Sequence, residues 1–108
     1  MSWTIETLNH TVDKELESLP DNMRARFFWI GELIRSHGLE KVSEPYVKHL
    51  QGGLWEMRMK GRDGISRAIY VVAKPKRVVV VRVFIKKTQK TPHKELELAL
   101  KRAKEITS

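Results

Sequence analysis

The sequence contains no cysteine. Disulfide staples are therefore excluded, and so is any zinc site built on thiolates. Histidine is scarce: the 4 present sit at scattered spacings that form no metal-ligand pattern, so neither a metal nor another cofactor is expected. No apolar run approaches the length of a membrane span. Met1–Glu6 lacks the basic stretch and apolar core of a signal peptide. A reducing cytoplasm is the expected setting, with no membrane partner. Repeats and low-complexity segments are also missing. The 108 residues are thus read as one domain, 1–108, with a modest core.

What the chain does hold is positive charge, unevenly placed. The net charge is +8, yet residues 1–40 carry 4 Lys and Arg against 7 Asp and Glu, while residues 41–108 carry 17 against 6. Between Lys74 and Lys90 there are seven cations and no carboxylate. That asymmetry suits a polyanion or an acidic protein partner.

The hydrophobic pattern gives the order of elements. Trp3–Thr7 is rich in β-formers and reads as an edge strand. Leu8, Val12, Leu16 and Leu19 recur at helical spacing, and Pro20-Asp21-Asn22 breaks that helix and starts another. Met23, Phe27, Ile30, Leu33 and Ile34 line the second helix, which stops at Gly38. Phe28 and Trp29 widen its apolar face and are expected to pack in the core, as is Trp55. Glu40–Gln51 reads as irregular. Three strands follow, Leu54–Lys60, Ile65–Lys74 and Val78–Lys87, with turns at Gly61–Gly64 and Lys74–Arg77. Thr91-Pro92 looks like the start of a last helix, Thr91 capping it and Pro92 in its first position. The expected class is α+β.

Alternation along the three strands places Glu56, Arg58, Arg67, Arg82, Phe84 and Lys86 on one face, opposite Trp55, Met57 and Met59. Lys60 shares the charged side of its strand, Arg62 lies in the turn after it, and Lys87 and Lys90 follow on the loop. If the apolar faces pack on the helices, this charged face is open to a ligand. Arginine forks suit phosphate, and Phe84 offers a ring on which a base can stack. RNA cleavage without a metal needs the ribose 2′-hydroxyl to lose a proton, cations around the charged transition state, and a proton for the leaving 5′-oxygen. Glu56 is either the base or the holder of an arginine. Arg58 and Arg67 are the expected stabilisers. Lys86, Lys87 or Lys90 either binds phosphate or donates a proton; to titrate near neutrality, such a lysine needs its pKa lowered by cationic neighbours. His49 and His93 read as surface residues. The competing reading is a set of surface ion pairs beside a solvated loop.

Two runs carry a family resemblance: Leu50-Gln-Gly-Gly-Leu-Trp-Glu-Met-Arg58, and Phe84-Ile-Lys-Lys-Thr-Gln-Lys-Thr-Pro92. With Arg67 between them and the Glu95, Ala99, Arg102 helix behind, the chain from Ile5 to Ile106 resembles the phage-derived, HigB-like branch of the RelE/ParE toxin superfamily. The resemblance implies a small antiparallel sheet with two N-terminal helices and a C-terminal helix. It implies the toxin of a type II toxin–antitoxin pair, an endoribonuclease that cuts mRNA, often on the ribosome, and a helix-turn-helix antitoxin of the HigA-like kind as partner. It points to Glu56, Arg58, Arg67, Lys86 and Lys87 as catalytic; Arg82, Phe84, Lys90, Lys60 and Arg62, on and around the charged face, are expected to bind RNA. Some relatives use a C-terminal Tyr or His; Ala103–Ser108 has neither, which leaves the general acid unassigned. The alternative is the ParE-like role, in which the same fold binds DNA gyrase and cuts nothing.

Overall fold

A computed structural model describes residues 2–62, 64–86 and 90–106. The elements run strand β1 (Thr4–Thr7), helices α1 (His10–Glu17) and α2 (Asp21–His37), a 3-10 turn (Leu39–Lys41), strands β2 (Val47–His49), β3 (Trp55–Gly61), β4 (Gly64–Ala73) and β5 (Arg77–Lys86), and helix α3 (His93–Ala103). Local chemistry sets the ends. The Asn9 side chain accepts a hydrogen bond from the Val12 N–H at 3.1 Å and caps α1. Gly38 closes α2 at a φ of 90°, and its N–H donates to the Ile34 carbonyl at 2.8 Å.

The α+β class is as expected, and the sheet differs in two respects. Its order is β1-β5-β4-β3-β2, antiparallel throughout β2–β5, but β1 joins β5 in parallel, so the sheet is mixed. The segment read as irregular contributes β2, with Val47 opposite Met57 and His49 opposite Trp55. Three residues carry too little periodicity to announce a strand. A turn through Gly52, at a φ of 54°, links it to β3.

Both sheet faces are covered, which corrects the expectation of one open face. On one side Val12, Leu16, Met23, Phe27, Ile30 and Ile34 of α1 and α2 pack on Met57, Met59, Ala68, Tyr70, Val78, Val80 and Val83. On the other, Ala99 of α3 closes over Leu54, Ile69, Val81 and Phe84, with Leu96 and Ile106 at the margin. The large aromatics expected inside are partly outside. Phe28 is 55%, Trp29 42% and Trp55 37% exposed. Trp55 lies against the His49 ring near the sheet margin, and Trp29 stacks edge-on with Tyr46.

Strict alternation in β5 is broken once. Tyr70 pairs with Val80 but Ile69 with Arg82, so Val81 is an extra residue in the strand. Val78, Val80 and Val83 therefore share the α1–α2 core, while Val81 and Phe84 belong to the α3 core.

Beyond Val80 the outer edge of β5 has no strand neighbour, because β1 ends at Thr7 opposite it. Side chains take over the pairing. The Val83 N–H donates to Glu15 at 3.1 Å, and Arg102 donates to the Val81 carbonyl at 2.8 Å. Arg102 and Glu15 also pair with each other at 2.9 Å. An edge that would otherwise recruit another strand is thereby closed.

Candidate active site

The register brings the expected residues to one face. Arg58 stands directly opposite Arg67, and Arg67 opposite Phe84; Glu56 and Arg82 flank Ile69; Lys86 is one step further along β5. These residues then divide into two groups.

The first group surrounds Glu56, which is fully buried. Its Oε1 accepts from Arg67 and, at 3.1 Å, from Arg58 Nε. Its Oε2 accepts from the Thr91 hydroxyl at 2.8 Å. Of the two roles open to Glu56, holding arginines is the one its bonds describe. Thr91 is likewise placed differently from expectation: α3 starts at His93 with Pro92 in the cap position, and the Thr91 side chain reaches the carboxylate instead. Arg67 is 2% exposed, while the Arg58 side chain remains 24% exposed. All four line a cleft of about 260 Å³, with Lys48, His49, Gln51 and Lys90 around it.

Lys86 is buried, and among the described residues its Nζ makes no hydrogen bond. Burial, then the Arg67 guanidinium, brings its pKa down to about 8; Arg58 and Lys48 act in the same direction and Glu56 against them. A lysine that titrates near neutrality requires such a lowering, and here desolvation contributes more to it than the cationic neighbours do.

The second group, around Arg82 and Phe84, is taken up by contacts within the fold. Arg82 donates to both oxygens of Glu95, at 2.7 and 3.2 Å, and pairs with Glu15 at 2.8 Å. The Glu95 hydrogen bond is the main cause of its raised pKa. It clamps α1, β5 and α3 together, so its fork is occupied. Phe84 is 9% exposed beneath α3, with Arg82 over its ring at 5.8 Å, and has no open face for a base. Lys60 and Arg62 are exposed but line no part of this cleft. Lys87 lies outside the described residues.

Lys48 escaped the sequence reading, and His49 was read only as a surface residue, because β2 was not recognised. The available signal was Val47 in, Lys48 out, just before Gly52-Gly53. His93 is exposed and pairs with Glu97 at 3.1 Å, as a surface residue would. Among the described residues no three His, Asp or Glu side chains form a group that could hold a metal. No helix among them is long and apolar enough to cross a membrane. A larger cavity, about 650 Å³ beside Trp3, Val47 and Trp55, is mainly apolar and holds none of the candidate catalytic residues.

No curated relative matches the chain. Solved structures do resemble it. The archaeal RelE–RelB complex from Pyrococcus horikoshii OT3 contains a chain 23% identical, with a TM-score of 0.60 over 79% of this chain and 96% of that one. A double arginine-to-alanine mutant of the E. coli toxin RelE, in the free state, is 21% identical, with a TM-score of 0.63 over 94% of this chain and 98% of that one. Residues 14–104 match the family described as phage-derived Gp49-like proteins (DUF891). The chain therefore belongs to the Gp49-like family, and its fold is that of the RelE/ParE toxin superfamily.

Proposed function

We propose that the protein is the toxin of a toxin–antitoxin pair and acts as an endoribonuclease on mRNA, without a metal ion. The observation that carries this is Arg67, held by a fully buried carboxylate against the floor of a cleft whose other cations are Arg58, Lys48 and Lys90. A lone buried ion pair needs no such surroundings. A scissile phosphodiester in the cleft meets the Arg58 fork at the mouth and the Arg67 fork at the floor. Both are fixed before the extra charge of the transition state develops. Glu56 orients them. Lys86, buried on the same face and close enough to Arg67 for the two charges to interact, adds to the positive charge behind the cleft floor. The RelE–RelB pairing in the archaeal structure supports a protein antitoxin as the silencing partner.

The test is cleavage of a defined mRNA by purified protein in excess EDTA, with and without ribosomes. Wild type cuts. Arg58→Ala, at a half-open position, and Arg67→Lys, which keeps a buried cation beside Glu56, each lose about 100-fold or more in rate while retaining a cooperative thermal transition. Intact RNA together with inhibited DNA supercoiling would overturn the proposal in favour of the ParE-like role.

A further inference from the structure

The cationic surface does not end at the cleft. Beyond Met57 the outer edge of β3 has no strand beside it, because β2 begins at Val47. The Arg58 N–H donates instead to the Tyr46 carbonyl at 2.9 Å, which draws Tyr46 to the sheet margin. A recess of about 280 Å³ forms there, lined by Arg26, Pro45, Tyr46, Arg58, Lys60 and Ile65. Arg58 lines both this recess and the cleft, and so stands between them.

The recess has an unusual lining: three cations, an aromatic ring and no carboxylate. Among the described residues, neither Arg26 nor Lys60 forms an ion pair. Arg26 is nonetheless held, its guanidinium 4.9 Å from the centre of the Trp29 ring, and Trp29 in turn stacks edge-on with Tyr46 at 5.1 Å. The exposed Trp29 thus has a task outside the core. It joins a cation from the acidic N-terminal half to the basic sheet.

We infer that this recess is a nucleotide subsite, which receives the residue adjoining the scissile phosphate in a single-stranded RNA. Arg26 and Lys60 hold the neighbouring phosphate, and the Tyr46 ring stacks on its base. The chemistry matches one nucleotide: fixed positive charge for the backbone, an aromatic face for a base of any sequence, and no acid to repel either. The inference rests on RNA being the ligand of the adjoining cleft.

The experiment measures the affinity of full-length protein for single-stranded RNAs of increasing length, made uncleavable by 2′-deoxy substitution, at several salt concentrations. Wild type gains about tenfold in affinity when one nucleotide is added to the fragment that fills the cleft. Arg26→Ala and Tyr46→Leu each remove most of that gain. Arg26→Ala also lowers the salt slope by about 0.7, the value for one phosphate contact on a single strand. Lys76→Ala, in the distant β4–β5 turn, leaves the length gain in place. An unchanged length gain in Arg26→Ala and Tyr46→Leu overturns the subsite, and so does an equal loss in Lys76→Ala, which would mark a diffuse charge effect. Binding is read apart from cutting. Wild type that shows the length gain yet never cleaves uncleavable RNA's ribose parent removes the nuclease and leaves the subsite standing.

Discussion

Arg67 and Arg82 stand on neighbouring strands of one sheet face, and each is bound to a glutamate. Their surroundings differ in balance. Arg82 pairs with Glu95 and shares Glu15 with Arg102, so two cations meet two carboxylates, and spare backbone groups of β5 absorb what is left. Among the described residues, Arg67 shares the one carboxylate of Glu56 with Arg58, while Lys86 is buried nearby with no hydrogen bond at its ammonium. The first arrangement neutralises itself and holds helices together. The second keeps surplus positive charge beside a cleft, at a cost in stability that an anion would relieve. Pairing alone does not distinguish the two arginines; the local sum of charge does.

Breaking the group around Glu56 should have the largest effect. Glu56→Ala leaves Arg67 charged and buried without its carboxylate, and urea unfolding should show a loss of about 3–5 kcal/mol. A smaller loss than at Arg82 would mean that the two groups have been ranked the wrong way round. Lys86→Met should act in the opposite direction. The fold disfavours the ammonium, so the unfolded chain binds the extra proton. The penalty is full below about pH 8 and fades as pH rises from about 8 towards 10.5. The variant should therefore gain on the order of 2–3 kcal/mol at pH 7 and little at high pH, while losing cleavage. Thermal unfolding across that range checks the sign. The balanced clamp should matter least for cutting. Arg82→Met leaves Arg102 still holding Glu15 but takes the guanidinium away from the nearly buried Glu95, so a loss of about 2–3 kcal/mol is expected, with RNA cutting by the folded protein unchanged. A large fall in cutting there would return Arg82 to the site.

The sharing of a face by Glu56, Arg58 and Arg67 was legible because β3 and β4 alternate without interruption. What covers that face was not. Charged residues in a strand suggest solvent, yet Glu56 and Arg67 lie at 0% and 2% exposure. Only the path of the chain into α3 shows this. Arg82 looked equivalent to Arg67 because its partners, Glu15 and Glu95, come from opposite ends of the sequence and meet in three dimensions alone. Thr91 carried a helix-start signal ahead of Pro92, and a long-range bond to Glu56 prevailed over it. Arg26 lay in the acidic half, where no basic site was sought, and a ring contact to Trp29 joins it to the sheet.

The additional valine in β5 bears on how this protein tolerates change in chain length. Val78 and Val80 point to one core, while Arg82 and Phe84, of the same parity, point to the other. Loss of one residue from the run Val78–Val81 can be absorbed by straightening the strand, and the downstream basic residues keep their orientation. A residue gained there has no comparable outlet and would turn Lys86 away from Arg67. Natural relatives of this chain should therefore vary by deletion at that point more readily than by insertion.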